Sequence, residues 1–333
     1  MTTRNLIRPL ALAPVARLLT VTFMLALAPC PAPGGPPPAL DWNPARTWVF
    51  AVGVLEFQDP EELSSFDALG RCDSSLLELL RAKGVPKDHV IHLQDRRATL
   101  AEIRKRLDGL LARTAPGDLL LIYYAGHGFV VDGVCYAANY DCSDEPRTWW
   151  PMQELIDRLE AGFRGERVML MFDCCYSGRI VELAQAKGRR LSYAAFGSAL
   201  SSESSTENWT FTEAMLAGLS GDPVVDLDGD GAIQARELAQ YASDELRVFA
   251  EQNAASVFTG TFSPETVLGL RHGVKRHART GERVKVLYDG EWWQARIVTV
   301  RGKEALCHWI DSGYHRRQDE EWMPLSAVRP MAP

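Results

Sequence analysis

The chain predicts an α/β fold: a mostly parallel sheet covered by helices on both faces, followed by a small all-β barrel. Three observations carry this expectation. From Thr47 to Leu270, near-continuous apolar runs of strand length alternate with amphipathic helical patterns, the arrangement of a sheet buried on both faces. Two of the runs, Leu-Leu-Leu-Ile-Tyr-Tyr-Ala-Gly-His127-Gly and Val-Met-Leu-Met-Phe-Asp-Cys174-Cys175-Tyr-Ser-Gly, end in a reactive side chain beside glycine. From Gly281 onward the pattern changes to short alternating strands punctuated by turn residues, as in a small barrel.

The elements follow in order. Thr-Trp-Val-Phe-Ala-Val-Gly-Val from Thr47 reads as the first strand, followed by a helix over Ser74 to Lys83, a strand over Val90 to Leu93 and a helix over Thr99 to Ala112. The His127 strand starts at Leu119, a helix spans Met152 to Phe163, and the Cys175 strand starts at Val168. Leu191 to Leu200 reads as a further strand and Phe211 to Leu219 as a helix. Open α/β sheets place their sites at the C-terminal ends of strands, which is where both reactive residues fall.

Ahead of this region lies an export signal. Arg4, Arg8 and Arg17 occur with no acidic residue before Asp41, and the apolar run Leu18 to Ala28 is short for a bilayer span. Residues 1–28 therefore read as a signal peptide, with Ala26-Leu27-Ala28 of cleavage-site form and Leu27-Ala28-Pro29-Cys30 close to a bacterial lipoprotein box. Export follows, with release into the periplasm or medium and lipid anchoring both open. Residues 29–46 form a Pro-rich linker, extended in character. The 333 residues suffice for a substantial core, and a net charge of -7 gives no reason to expect a nucleic-acid partner. No tandem repeat is present. Seven cysteines are an odd count; Cys135 and Cys142 flank a loop and can pair or stand as free thiols.

The chemistry of the two reactive residues is that of a cysteine hydrolase. A thiolate attacks a carbonyl, and an imidazole takes the thiol proton and later delivers one to the leaving amine. A caspase signature places its His about 50 residues before the Cys, and here the separation is 48 (175 minus 127). Tyr-Ala-Gly-His127-Gly and Asp173-Cys-Cys175-Tyr-Ser-Gly resemble the caspase and metacaspase superfamily over roughly Thr47 to Leu270, and the Asp-x-Cys form is similar to the metacaspase branch, since caspases carry Gln-Ala-Cys. The resemblance implies the caspase-like sandwich, with Cys175 as nucleophile, His127 as general base and acid, and backbone amides near Gly128 and Cys175 as oxyanion donors. It also implies that Asp173 lines a pocket for Arg or Lys, with Asp73 a second pocket acid; the alternative is that Asp73 merely starts a helix. Cys174, one residue before the nucleophile, points to the opposite face as core or as a secondary redox partner.

Asp226-Leu-Asp228-Gly-Asp230-Gly231-Ala232-Ile233-Gln234-Ala-Arg-Glu237 matches the calcium-loop template, with carboxylates at positions 1, 3, 5 and 12 and the Ala232 carbonyl at 7. Gly221-Asp-Pro223 interrupts the preceding helix, so the loop stands outside a full EF-hand; an Asp/Gly turn capping the following helix is the alternative. After a basic linker at 271–280, residues 281–330 resemble a Tudor or chromo-like barrel. Its Tyr288, Trp292, Trp293, Trp309, Tyr314 and Trp322 form either an aromatic cage or simply the core. The expected function is an exported cysteine endopeptidase cutting peptides or proteins after Arg or Lys, with Ca2+ bound at 226–237 and a protein partner for the barrel. The alternative is a catalytically inactive caspase-like binding or scaffold protein.

Overall fold

Three segments of seven residues, buried almost without interruption, leave no face of their strands for water and must lie inside a covered sheet. The computed structural model describes residues 38–66, 71–205, 209–272, 280–288, 291–301, 304–310 and 320–330. The first half of the described chain runs β1 (Thr47–Gly53), α1 (Cys72–Ala82), β2 (Val90–Gln94), α2 (Leu100–Leu111) and β3 (Leu119–Ala125), then β4 (Gly128–Val131), β5 (Val134–Ala137), β6 (Trp150–Pro151) and α3 (Met152–Gly162). There follow β7 (Arg167–Asp173), α4 (Gly178–Gln185), β8 (Ser192–Gly197), α5 (Thr210–Ser220), β9 (Ala232–Gln234), α6 (Ala235–Phe249), β10 (Ala255–Phe258) and β11 (Val267–Leu270). The C-terminal region adds β12 (Arg283–Tyr288), β13 (Glu291–Arg301), β14 (Glu304–Trp309), β15 (Glu320–Pro324) and β16 (Val328–Pro330).

The main sheet has six strands in the order β10-β8-β7-β3-β1-β2. All neighbours are parallel except the edge strand β10, which runs antiparallel to β8. Alternation along each strand divides the interior into two cores. Trp48, Phe50, Ile122, Tyr124, Leu170 and Phe172 point towards α2 and α3, whereas Val49, Tyr123, Met169 and Met171 point towards α1, α5 and α6. Two small sheets, β4-β5-β6 and β9-β11, lie beside it. The expected elements are present with boundaries moved by a few residues, and Thr99 caps α2 by accepting from the Glu102 amide at 3.3 Å.

The C-terminal strands form a separate antiparallel sheet in the order β15-β14-β13-β12-β16 around a core of Val284, Val286, Ala295, Ile297, Cys307 and Trp309. Among the described residues its aromatics do not converge on one cage. Trp309 is in that core with Tyr288 edge-on to it, Trp292 carries the Arg329 guanidinium 4.3 Å above its ring, and Trp322 is 43 % exposed. Tyr314 lies outside the described residues, as do the signal peptide, residues 29–37 of the Pro-rich stretch and residues 273–279 of the linker. Cys135 and Cys142 are buried free thiols rather than a disulfide. A core of this size needs no covalent staple.

This sheet is seated on α6 by charge. Lys285 of β12 is buried and ion-paired with Glu245 of α6, and the ammonium sits 5.2 Å from the centroid of the Tyr241 ring. Beside it Arg329 of β16 bonds Asp244 at 3.1 Å. Lys285 and Arg329 are cross-strand partners, so they emerge from the same face of the sheet. Removing one member of a buried pair strands the other charge, at a cost of about 3–5 kcal/mol, whereas an apolar pair of similar volume is tolerated. Lys285→Ala is therefore expected to lower chemical-denaturation stability by that amount, read by fluorescence of the C-terminal tryptophans, and the Lys285→Met, Glu245→Leu double variant to recover most of it.

Candidate active site

Strands β3 and β7 are hydrogen-bonded neighbours in parallel register, with Ala125 opposite Asp173. Two residues beyond each partner stand His127 and Cys175, so the register brings the two chain segments that carry them to the same edge of the sheet. Glycine makes the approach possible. A Cβ on Gly128 would lie 2.1 Å from the Cys175 carbonyl oxygen, and Gly126 adopts φ +152° with a Cβ position 2.9 Å from the Val54 carbonyl. The peptides at Gly128 and Cys175, whose amides the sequence singles out, are thus in direct contact.

The His127 ring is held by a segment that no motif marks. Its Nε2 lies 2.8 Å from the Ser64 carbonyl, and its face meets Phe66 at 4.3 Å and Phe57 at 5.1 Å between centroids. A carbonyl accepts only from N–H, so this contact places a proton on Nε2, and in the neutral ring the lone pair is on Nδ1. Phe66 is itself anchored, its amide donating to the Leu55 carbonyl at 2.9 Å. A backbone carbonyl leaves no signature in sequence, which is why Ser64 is invisible there.

Cys175 is half-buried, and its sulfur accepts the Ser205 amide at 3.1 Å. The chain turns sharply after it: Tyr176 has φ +58°, unusual for a residue with a side chain, and its amide is held by the Glu203 carbonyl at 2.8 Å. Helix α4 begins at Gly178, three residues past the thiol. Cys174 belongs to the core on the α2–α3 side, and burial pushes its thiol up. That is the environment of an inert thiol rather than of a redox partner.

Asp173 and Asp73 occupy one face of the sheet. The register aligns Gln94, Gly53, Ala125 and Asp173 across β2, β1, β3 and β7. Gly53 is small because the space over it is taken: a Cβ there would lie 2.1 Å from Asp73 Oδ2 and 3.0 Å from an Arg71 guanidinium nitrogen. Asp173 points into the α1–α5 side, where Thr212 of α5 donates to its Oδ2 at 2.6 Å and Tyr123 in turn donates to Thr212 at 2.7 Å. Burial outweighs these hydrogen bonds and pushes its carboxyl up to about 6.

Asp73 differs from the expectation of an open pocket acid. It is fully buried at the start of α1, over Gly53, where a Cβ would lie 2.1 Å from its Oδ2. It already holds a guanidinium: Arg71 bonds it through Nε at 3.1 Å and Nη2 at 2.8 Å, with Gln94 at 3.3 Å and His92 at 3.4 Å. Burial opposes ionisation, but the bonds from His92 and Arg71 and the Arg71 charge hold its carboxyl well below the usual range. Its side chain also accepts the Ser74 amide within the first turn of α1, whose N-cap position is Arg71. The sequence does not announce Arg71; only the fold turns it back onto Asp73.

In the 226–237 segment, Asp226, Asp228 and Glu237 each offer an oxygen within 4.8 Å of the others. Asp230 turns away from them, accepting the Ala232 amide at 2.8 Å. Glu237 is nearly fully buried and closes a capping box with Gln234 at the start of α6, while Arg271 and Arg236 bond Asp226 and Asp228, each at 2.6 Å. Ala232 lies in β9, opposite Leu270. Three of the four carboxylates thus come together, two of them paired with guanidinium groups, and Glu237 also serves the start of α6.

The fold and this edge define an α/β protein of the caspase-like class. The caspase-domain model of peptidase family C14 matches residues 73–263, more than half of the chain. The chain belongs to that family. No curated protein matches it. Among solved structures, a protein of Geobacter sulfurreducens is 15% identical over 68% of this chain and 100% of its own, with a TM-score of 0.47. Caspase-1 of Spodoptera frugiperda is 15% identical over 69% of this chain and 92% of its own, with a TM-score of 0.44.

The raised Asp173 carboxyl has a measurable consequence for stability. A carboxyl that protonates more readily folded than unfolded favours folding while protonated; that advantage is complete below about pH 4 and is lost as pH rises through about 6. An amide does not titrate. Asp173→Asn is therefore expected to gain about 3 kcal/mol relative to wild type between about pH 4 and about pH 8, measured by denaturation across that range; a pH-independent difference would contradict the burial argument.

Proposed function

We propose that this chain is a cysteine endopeptidase that cleaves peptide bonds after Arg or Lys. The observation that supports the reading is the matched register of β3 and β7, whose end partners Ala125 and Asp173 each stand two residues before His127 and Cys175. In the proposed mechanism His127 Nδ1 takes the Cys175 proton and the thiolate adds to the scissile carbonyl, with amides near Gly128 and Cys175 receiving the oxyanion. Collapse breaks the C–N bond while the imidazolium protonates the leaving amine. Water, deprotonated by His127, then hydrolyses the thioester and returns the thiol.

Basic specificity rests on Asp173. A buried carboxylate without a cation is a standing cost, and a substrate guanidinium or ammonium relieves it. Asp73 supports the pocket as a wall whose charge Arg71 already balances, rather than as a second free acid. Around this centre we place Ca2+ at Asp226, Asp228 and Glu237, with Asp230 and the Ala232 carbonyl completing the shell once Asp230 turns inward; the ion would supply positive charge that orders the start of α6. The C-terminal sheet is proposed as a Tudor-like docking module for a protein partner, and the mature chain as exported, released or lipid-anchored through Cys30.

Fluorogenic peptides test the centre. Cys175→Ala and His127→Ala are each expected to abolish hydrolysis while Cys174→Ala keeps most of it, and peptides ending in Arg or Lys to be cut while those ending in Asp are not. Full activity in Cys175→Ala, or a preference for Asp, would refute the reading. An inactive wild type whose Cys175 resists alkylation would favour the non-catalytic alternative. For the ion, melting of the wild-type protein is expected to rise in millimolar calcium and the rise to be blunted in Glu237→Gln; calorimetry that detects no binding would remove calcium from the account.

A further inference from the structure

Asp95 lies outside every motif, yet it stands at the head of the segment that holds His127. It follows β2 directly and adopts φ +46°, a left-handed conformation uncommon for a residue with a side chain. Its two oxygens do different work. Oδ1 accepts the Leu55 amide at 2.8 Å and the Glu56 amide at 3.2 Å, gripping the chain just past the end of β1. Oδ2 is ion-paired with Nη1 of Arg71, which also donates through Nη2 to the Gly53 carbonyl at 3.0 Å.

The gripped residues lead to the imidazole by short steps. The Leu55 carbonyl accepts the Phe66 amide at 2.9 Å, Phe66 stacks on His127, and the Ser64 carbonyl, two residues earlier, receives Nε2–H. Residues 54–66 thus form a loop closed at its neck by Leu55 and Phe66, and Asp95 fixes the neck to the sheet. Opposite, the Val54 amide bonds the Ala125 carbonyl, tying the same neck to the strand that carries His127.

We propose that Asp95 is a positioning residue: by clamping the Leu55 and Glu56 amides through Oδ1, it holds the Ser64 carbonyl where it fixes the His127 tautomer. The inference rests on the endopeptidase reading for its kinetic consequence, but its structural content is independent of it. Arg71 braces the clamp from the other oxygen and links it to Asp73, so the basic-residue pocket and the imidazole share one support.

Two substitutions separate the clamp from mere folding. Asp95→Asn keeps an oxygen acceptor for the two amides and loses the charge facing Arg71; Asp95→Gly removes the acceptor while accommodating the left-handed backbone. In the full chain, Asp95→Gly is expected to lower kcat on an Arg-ending peptide by roughly tenfold to a hundredfold with KM little changed, and Asp95→Asn to rescue most of that loss. Imidazole 15N spectra of His127 are expected to show the Nε2–H tautomer in wild type and Asp95→Asn, and a mixture in Asp95→Gly. Equal losses in Asn and Gly, or an unchanged His127 spectrum in Asp95→Gly, would overturn the proposal. Should Asp95→Gly fail to fold, an Asp95→Asn spectrum that loses the Nε2–H tautomer overturns it, and one that keeps that tautomer supports it. An inactive wild type with the expected tautomer shift in Asp95→Gly would sink the endopeptidase reading and leave this inference standing.

Discussion

Everything at the sheet edge depends on one ladder, the parallel pairing of β3 with β7 in which Ala125 faces Asp173. Side chains in a strand alternate, so a slip of one residue would turn Cys174 to the front, bury Cys175 and move Asp173 into the opposite core. The register is held by what it buries. Tyr124 and Phe172 fill one side and Tyr123 and Met171 the other, each almost fully enclosed, and a one-residue shift would exchange both sets. Full burial of the sheet therefore fixes the relative height of the two strand ends that lead to His127 and Cys175.

The same row shows how environment assigns different states to one residue type. Asp73 and Asp173 share a face, and both are buried. Asp73 has an internal guanidinium and is stabilised as the anion; Asp173 has hydroxyl donors and, among the described residues, no cation, and it protonates more readily than usual. A fold optimised only for stability has little use for a carboxylate in the second condition. Gly53 between them leaves room for the Asp73 carboxylate and its guanidinium, which a side chain there would displace.

Helix α6 joins the rest of the molecule to this centre. It begins at the carboxylate cluster through Glu237, packs in the same core as Tyr123 and Phe211, and ends beneath the C-terminal sheet through Asp244 and Glu245. Helix α5, which supplies Thr212 to Asp173, lies against it in that core. The C-terminal sheet is thus attached by buried charge to the same layer of helices that lines the Asp173 side of the site.

What the sequence by itself determined is what depends on local pattern: the succession of buried strands and amphipathic helices, the family, the two reactive residues at strand ends, and the antiparallel character of the C-terminal region. Hydrophobic period and glycine placement are properties of neighbouring residues, so they are readable in a line of letters. The tertiary structure alone decided which groups meet across long separations. It assigned Arg71 to Asp73 and Asp95, the Ser64 carbonyl to His127 and the Ser205 amide to Cys175; it sent Trp292 and Trp309 to opposite faces of one sheet and turned Asp230 away from its companions. These contacts are made by backbone groups or by long flexible side chains, whose partners are set by how separate segments pack, and no spacing along the chain encodes them.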